Sequence, residues 1–417
     1  KAGVSASRNA VGIGKGGAPG RGRSALRTAA DSVIGDDAQG RSGSRMKGRK
    51  PRSKDEPGIP ASTALSSPLE YWAAAAGFTL PAMGSLWHIL ARRAPPTWDD
   101  GWYLETSLRL WDALLAGPPG AFVRGYAHAL QIKAPLIALL PFPFYALFGR
   151  GMRQALLANL ACMAIASLFA FRIGRLLHSP RAGALAVWCL NLTPLVYGVS
   201  RVFYVECSLV ALISAFMYYL FTGGARYRLG ILIGLGMLAK VSFPVYAAAP
   251  AAVLAFRRRS WKDWLVCAAL AAALAAPWYA FNYSLVFRFA RSAGFGATAR
   301  TYGSGSGPAA FFGYFTTLVR DCWSGHFAAL ALAALLIGLS RRRARPEISA
   351  RPLRESAAFL CWAFLPLLVL AYSVNREYRY AAPALAGASI GLGLLLAHAL
   401  DGLGRWGAGA AFVLLLP

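Results

Sequence analysis

The sequence predicts an all-α, polytopic integral membrane protein with about ten to eleven transmembrane helices and further helices at the outer membrane surface. Of its 417 residues, 57% are hydrophobic and only 15% are charged, and apolar runs of spanning length recur along the chain. This composition excludes a soluble domain with a polar surface. The net charge of +27 collects between the apolar runs. That arrangement indicates cytoplasmic loops facing anionic lipid and argues against nucleic-acid binding.

The N-terminal 66 residues are rich in Gly, Ser, Ala and Arg and have no apolar period. They predict a disordered, basic tail, in which Met46 offers an alternative translation start. The membrane domain, 67–417, opens with the apolar segment 71–91. This segment is too long for a cleaved signal and lacks its small-residue exit, so it predicts an anchor. The basic residues before it place the N-terminus in the cytoplasm.

An acidic pair, Asp99-Asp100, follows this anchor and precedes Gly101-Trp102-Tyr103 and an amphipathic helix predicted over 101–116. Adjacent acids at the end of a membrane span are costly unless water, a cation or a basic partner is close. Two interpretations stay open. Either acid could cap the following helix in a solvated loop, or the pair could belong to the catalytic face of a membrane enzyme.

Charge alternation sets the remaining topology. Segment 229–256 has basic residues at both ends, so it predicts a hairpin of two short spans with Lys240 near the outer tip. The predicted outer loops are 92–153, 200–206, 282–325 and 375–380. Counting the predicted spans from the cytoplasmic N-terminus places a set of charged residues on the outer side. They are Asp99, Asp100, Lys133, Arg201, Glu206, Lys240, Arg376, Glu377 and Arg379.

Four short motifs occur in this order on the outer side. They are Asp99-Asp100-Gly101-Trp102-Tyr103, Lys133-Ala134-Pro135-Leu136, Gly234-Leu235-Gly236-Met237-Leu238-Ala239-Lys240, and Arg379-Tyr380-Ala381-Ala382-Pro383. Over about 71–400 the chain resembles the GT-C superfamily of glycosyltransferases that use polyprenyl-phosphate sugars. The likeness is to glycosyltransferase family 39, which includes protein O-mannosyltransferases and the lipid A aminoarabinose transferase. This chain has Asp-Asp where that family usually has Asp-Glu, and Glu206 where such families often have Asp.

The resemblance implies transfer of a sugar from a polyprenyl-phosphate donor to an acceptor on the outer, periplasmic face of a bacterial inner membrane. The acceptor is a lipid, a glycan or a protein. Such a reaction needs a base for the acceptor and cations for the leaving phosphate. The resemblance implies Asp99 as the base, with Asp100 either as its orienting partner or as the second choice for the base. The expected substrate contacts are Lys133, Arg201, Glu206, Lys240, Arg379, Tyr380 and Tyr103.

Several of these residues also have plainer interpretations. Lys133 and Lys240 could extend to the membrane interface, and Arg379 could form a loop ion pair with Glu377. Tyr103 could belong to an interfacial aromatic belt. No cofactor is predicted with certainty, and a divalent cation held by Asp99 and Glu206 stays open. The alternative function is a transporter or flippase of a lipid-linked substrate. The sequence has no internal repeat, and its acids concentrate in an outer loop, which argues against that alternative.

Overall fold

The computed structural model describes residues 68–91, 95–96, 98–224, 226–258, 261–302, 305, 307–344, 353–401 and 415. Within these ranges the chain is helical and contains no strand, so the predicted all-α class is confirmed. The predicted tail, 1–66, and Met46 lie outside the described residues.

Seventeen α-helices follow one another along the described chain. The first six are α1 (Pro68–Ala91), α2 (Trp98–Leu115), α3 (Ala121–Ala127), α4 (Leu136–Leu139), α5 (Phe142–Phe148) and α6 (Met152–Leu177). The next six are α7 (Pro180–Leu192), α8 (Pro194–Val199), α9 (Glu206–Phe221), α10 (Arg226–Ala239), α11 (Phe243–Arg258) and α12 (Trp261–Phe295). The last five are α13 (Ala297–Tyr302), α14 (Pro308–Thr317), α15 (Gly325–Ala344), α16 (Leu353–Tyr372) and α17 (Ala382–Leu400). A π-helical turn, Leu318–Ser324, precedes α15, and a 3-10 turn, Tyr378–Ala381, precedes α17.

Six helical segments of the described chain are long and apolar enough to cross a membrane. They are Pro68–Ala91, Met152–Leu177, Trp261–Thr301, Pro308–Ser340, Glu355–Tyr372 and Tyr378–Leu400. Three shorter apolar helices accompany them, at Leu136–Phe148, Glu206–Phe221 and Phe243–Leu254. The chain is therefore a multi-pass membrane protein, and the predicted count of ten to eleven spans stays a prediction. Helices α1 and α12 expose large apolar side chains such as Trp72 and Phe287, as expected of lipid-facing elements.

The centre of the bundle is formed by α6, α7, α9 and α17, whose residues are mostly buried. Small residues let these helices approach closely. A Cβ added at Gly393 of α17 would lie 2.4 Å from the backbone nitrogen of Ala186 in α7, and one at Gly174 of α6 would lie 2.6 Å from Gly183. Without a hydrophobic driving force between helices in lipid, such close packing is a main source of association.

Helix α2 begins three residues earlier than predicted. It starts at Trp98, so Asp99 and Asp100 lie in its first turn. Neither acid is therefore a cap preceding a helix over 101–116, and that interpretation is wrong. Carboxylates in a first helical turn still complement the helix dipole, but the partners described below show that these two acids face other parts of the bundle.

The predicted outer loop 282–325 is mainly helical in its described part, because α12 runs on to Phe295. Hydropathy falls at Asn282, where the sequence predicted an end. The side chain of Asn282 is satisfied inside the structure, since its Nδ2 donates to the carbonyls of Ala127 at 2.6 Å and Trp278 at 2.9 Å. A polar residue with these partners does not end a helix.

The break predicted in 229–256 is confirmed. Helix α10 ends at Ala239 and α11 begins at Phe243, with Lys240 in the turn between them. The amide of Phe243 donates to the carbonyl of Lys240 at 3.0 Å. Pro244 lacks an amide hydrogen and favours the first turn of a new helix.

Candidate active site

A cavity of about 290 Å³ gathers most of the predicted site residues. Its polar wall consists of the carboxylates Asp99 and Glu206 and the cations Lys133, Lys240 and Arg379. A second, apolar wall comes from α12 and α16. The apolar lining residues include Val286, Phe289, Ala290, Ala293, Val369 and Leu370. A cavity with an apolar body and a few convergent polar groups is the usual form of a ligand site.

Asp99 is the centre of the first charged cluster. Lys133 donates from Nζ to its Oδ1 at 2.5 Å, and Arg379 donates to its Oδ2 at 2.9 Å. Burial alone would raise the pKa of Asp99, but the hydrogen bond from Lys133 and the charges of Lys133 and Arg379 outweigh burial and lower the pKa below its ordinary value. Burial lowers the pKa of Lys133, against the opposing effect of Asp99. Asp99 is thus ionised, and each of its two carboxylate oxygens is paired with a cationic side chain.

The backbone next to this cluster is strained. Trp98, immediately before Asp99, has φ of 45°, and Leu130 and Gln131, just before Lys133, have φ of 58° and 42°. Non-glycine residues in the left-handed region cost roughly 1–3 kcal/mol each and concentrate at functional sites. Three of the four such residues in the described chain therefore lie beside the Asp99–Lys133 pair.

Glu206 and Lys240 form the second charged cluster. Lys240 donates from Nζ to Oε1 of Glu206 at 2.8 Å, and the Glu206 side chain is almost fully buried. The ring of Tyr380 joins the two clusters, because Lys240 Nζ lies 3.7 Å from its centroid and the Arg379 guanidinium lies 5.4 Å from it. Such cation–π contacts stabilise a desolvated cation in place.

Three buried polar atoms of cavity-lining residues have no hydrogen-bond partner within the described chain. They are Oε2 of Glu206, Nε of Arg379 and Oδ1 of Asn375. The nearest charged partner of Arg379 Nε is Oε2 of Glu377 at 3.7 Å, too long for a hydrogen bond. A buried polar atom left without a partner costs about 1–3 kcal/mol. These atoms would be satisfied by a bound ligand that carries both hydrogen-bond donors and acceptors.

Asp100 and Arg201 do not line the cavity. Asp100 is buried, and its Oδ1 accepts the backbone N–H of Phe203 at 2.7 Å. Asp100 therefore joins α2 to the 200–206 segment. Arg201 stacks its guanidinium 3.8 Å from the Tyr197 ring centroid. Its predicted contact with substrate has no support in this arrangement.

Aromatic residues cover the cations of the site. Lys133 Nζ lies 5.1 Å from the Trp102 ring and 5.2 Å from the ring of buried Tyr103. Burial, followed by the charges of Glu206 and Asp99, raises the pKa of Tyr103 well above its ordinary value. Tyr103 is therefore a neutral phenol. These contacts favour a role in the site for the two aromatics over a purely interfacial belt.

Sequence reasoning missed three residues that hold the site together. Tyr204 places its ring 4.4 Å from the Arg379 guanidinium, Tyr246 donates its hydroxyl to the carbonyl of Tyr380 at 2.6 Å, and Asn375 lines the cavity. Tyr204 and Asn375 were detectable, because each lies in an outer loop within two residues of a predicted or charged position. Tyr246 carries no such signal, since it lies among apolar residues in the first turn of α11.

The charges of the cavity do not fit the divalent cation that the sequence left open. Its two predicted ligands, Asp99 and Glu206, are each paired with ammonium or guanidinium groups. A divalent ion needs several oxygen ligands, and it would have to displace Lys133, Arg379 and Lys240 to reach two carboxylates. We derive no chemical step through a cation at this place.

Residues 132–281 match the family model described as dolichyl-phosphate-mannose-protein mannosyltransferase. The structure is similar to crystal structures of ArnT from Cupriavidus metallidurans. The structure bound to undecaprenyl phosphate matches with 17% sequence identity and a TM-score of 0.58. The chain has the ArnT fold. The apo structure of ArnT matches with 18% identity and a TM-score of 0.56. The predicted resemblance to GT-C glycosyltransferases is thereby confirmed.

The match to ArnT covers 81% of this chain and 61% of the ArnT chain. The chain thus spans about three fifths of the length of the ArnT structures it resembles. No curated protein sequence matches it. The family model includes Lys133, Glu206 and Lys240, while Asp99 and Arg379 lie outside the matched range. The assignment of Asp99 and Arg379 to the same site as Lys133, Glu206 and Lys240 therefore rests on the ArnT fold and on the distances given above.

Proposed function

We propose that the protein is a membrane glycosyltransferase that moves a sugar from a polyprenyl-phosphate donor to an acceptor on the outer face of the membrane. The main observation is the cavity itself, in which the half-buried carboxylate of Asp99 is flanked by Lys133 and Arg379 and the cavity also has an apolar wall. An amphiphile with a long apolar chain and an anionic head matches both walls. The undecaprenyl phosphate bound to ArnT is a molecule of this chemistry.

In the proposed reaction, a hydroxyl or amine of the acceptor attacks the anomeric carbon of the donor sugar. The bond between that carbon and the phosphate oxygen breaks, and polyprenyl phosphate leaves with the electron pair. The acceptor proton passes to Asp99, which acts as general base. Lys133, Arg379 and Lys240 stabilise the negative charge that develops on the leaving phosphate. Arg379 suits this role because a guanidinium binds phosphate oxygens through two parallel hydrogen bonds.

The ion pairs of Asp99 bear directly on its strength as a base. A carboxylate held by two cations has a lowered pKa and accepts a proton reluctantly. A donor phosphate competes for the same two cations. When Lys133 and Arg379 turn toward the phosphate, Asp99 loses the interactions that lower its pKa, and its basicity rises. Binding of the donor thus raises the basicity of Asp99, the proposed base of the same reaction.

Glu206 of the second cluster, together with Asn375, is proposed to bind the sugar. Oε2 of Glu206 and Oδ1 of Asn375 are buried acceptors without partners in the described chain, and hydroxyl or amine hydrogens of a sugar would satisfy them. Tyr103 and Tyr380 line the same space. Asp100 is proposed as a positioning residue, because it fixes α2 against Phe203 and thereby places Asp99.

The site residues lie on the side of the membrane that the charge rule predicts to be outside. We propose an inner-membrane location with the cavity facing the periplasm. The acceptor, which we propose to be a lipid, a glycan or a protein, would approach from that side, and membrane lipids would surround α1 and α12.

The test is transfer of labelled sugar from synthetic prenyl-phosphate sugars in membranes that contain the protein. Transfer that depends on the protein is the expected result. The transporter alternative is tested in parallel, by following movement of the same fluorescently tagged donor across proteoliposomes. Movement of intact donor without any bond cleavage would reject the glycosyltransferase and favour the transporter.

A further inference from the structure

A third cluster of chemically reactive side chains, outside the cavity, lies at the carboxyl ends of α6 and α17. His178 follows the last residue of α6, while His398 and Asp401 lie in and after the last turn of α17. Nε2 of His178 is 3.0 Å from Oδ2 of Asp401, and Nδ1 of His398 is 3.9 Å from the same oxygen. One ligand atom from each residue can be chosen so that all three lie within 4.8 Å of one another.

The geometry between His178 and Asp401 suits a shared ion better than a direct hydrogen bond. Although the two atoms are close, Nε2 of His178 is buried and makes no hydrogen bond of acceptable geometry within the described chain. The ring nitrogen therefore does not point along the line to Oδ2. An ion displaced from that line, along the lone pair of the nitrogen, would be within reach of both atoms.

Two helix carboxyl ends meet at this cluster. The carboxyl end of an α-helix carries partial negative charge and carbonyls without intrahelical partners. The carboxyl ends of α6 and α17 therefore both favour a cation. The nearby basic residue Arg175 is directed elsewhere, since its guanidinium lies 3.3 Å from the hydroxyl of Tyr71 in α1. The side chains of His398 and Asp401 are 35% and 50% exposed, which leaves a path for an ion from water.

We propose that His178, His398 and Asp401 form a binding site for a divalent transition-metal ion, of which Zn²⁺ is the best match. Two imidazoles and one carboxylate are a set of three ligands that Zn²⁺ commonly takes, with water as the fourth. The ion would join the end of α6 to the end of α17 and so fasten two central helices of the bundle.

This site is separate from the cavity. Arg379 and Tyr380 immediately precede α17, whereas His398 and Asp401 lie at its other end. A helix of 19 residues is roughly 28 Å long at 1.5 Å per residue. The metal would therefore act on stability, and no catalytic step depends on it.

The experiment measures Zn²⁺ binding to the purified, chelator-treated full-length protein by equilibrium dialysis and metal analysis. One equivalent is expected. His178→Gln and Asp401→Asn should each raise the dissociation constant at least about tenfold, since losing even an outer partner of a metal ligand costs 10–100-fold. The matched control is His128→Gln, because His128 is an exposed histidine that packs on Phe281 away from the cluster. It should bind as the parent does.

A second measurement uses Co²⁺, whose visible absorption reports nitrogen and oxygen ligands, together with the unfolding temperature in detergent. Zn²⁺ should raise the unfolding temperature of the parent and of His128→Gln, and leave that of His178→Gln unchanged. Absence of stoichiometric Zn²⁺ binding by the parent would overturn the proposal. Binding that persists in both site variants would show an adventitious ion only and would overturn it equally. Neither outcome touches the proposed transferase function.

Discussion

Arg379 and Asp99 are 280 positions apart in the sequence, yet a guanidinium nitrogen of Arg379 lies 2.9 Å from Oδ2 of Asp99. The pair joins the first turn of α2 to the turn that precedes α17. The cavity wall is therefore built from both an early and a late part of the described bundle. A ligand that separates this pair would therefore change the contacts of both α2 and the turn before α17.

Replacing Asp99 by Asn should abolish most activity while preserving the fold. The amide keeps the shape of the side chain but cannot accept the acceptor's proton, and loss of a general base lowers the rate by roughly 10²–10⁴-fold. The measurement is labelled-sugar transfer in membranes at matched protein levels. Glu105→Gln is the control on the same helix, since Glu105 is exposed and pairs only with Arg109 among the described contacts. Unchanged activity in Asp99→Asn would remove Asp99 from the mechanism.

Asp100 variants should separate position from chemistry. Asp100→Asn retains an oxygen that can accept the N–H of Phe203, so its activity should fall less than that of Asp99→Asn. Asp100→Ala leaves that N–H buried without a partner, which costs about 1–3 kcal/mol. Its unfolding temperature in detergent should drop. An inactive but stable Asp100→Asn, beside an active Asp99→Asn, would exchange the two assigned roles.

Lys240→Met and Arg379→Met should weaken donor binding. Each removes a charged contact to the phosphate, and a hydrogen bond to a charged group contributes about 1.5–3 kcal/mol, or roughly ten- to hundredfold in affinity. The increase should appear in KM for the donor more than in kcat. Arg150→Met, which removes an exposed cation paired with Asp112, is the control. Equal donor KM in all three variants would place the phosphate elsewhere.

The pH dependence should differ between free and donor-bound protein. The pKa of Asp99 is lowered in the structure, so protonation of Asp99 in the free protein occurs only below about 3.8, its ordinary value. The acid limb of kcat/KM, which reports free protein, should accordingly lie below that of kcat, which reports the complex. Lys133→Met removes the hydrogen bond that lowers the pKa, so it should move the kcat/KM limb to higher pH. Coincident limbs in the parent would contradict the activation of Asp99 by donor.

Asp99 also determines a part of how the stability of the fold changes with pH. A carboxyl whose pKa is lower when folded contributes stability above its unfolded pKa and loses that contribution as pH falls through the folded pKa. Acid unfolding of Asp99→Asn should lack this part of the pH dependence.

Labelling tests the sidedness of the cavity. A cysteine at position 377 should react with an impermeant reagent added from outside, because the Glu377 side chain is 45% exposed in a predicted outer loop. A cysteine at position 175, in the arginine-rich segment 172–181 that the charge rule predicts to be cytoplasmic, should react only after the membrane is made permeable. Ready labelling at 175 in intact cells would invert the topology.

The helical class and the helix break at Lys240 were predictable, because hydropathy and charge act locally along the chain. The grouping of Asp99, Lys133, Glu206, Lys240 and Arg379 on one side followed from counting spans. Their pairing did not, since a contact such as Arg379–Asp99 depends on the packing of distant helices. The roles of Asp100 and Arg201 were equally out of reach. Both have the predicted charge and side, and only their contacts in the folded chain, with the amide of Phe203 and the ring of Tyr197, distinguish them from residues of the cavity.

The turn at Lys240 also determines how the rest of the chain is threaded. Helices α10 and α11 have 14 and 16 residues, or roughly 21 and 24 Å, and neither alone matches a hydrocarbon core of about 30 Å. We therefore expect the two to enter the bilayer together, as the predicted hairpin of two short spans. A continuous helix through Pro244 would instead cross once and reverse the orientation of every later segment. On the topology predicted from charge, Arg379 would then emerge on the opposite side from Asp99, so the break at Lys240 is what keeps the two parts of the proposed active site in one compartment.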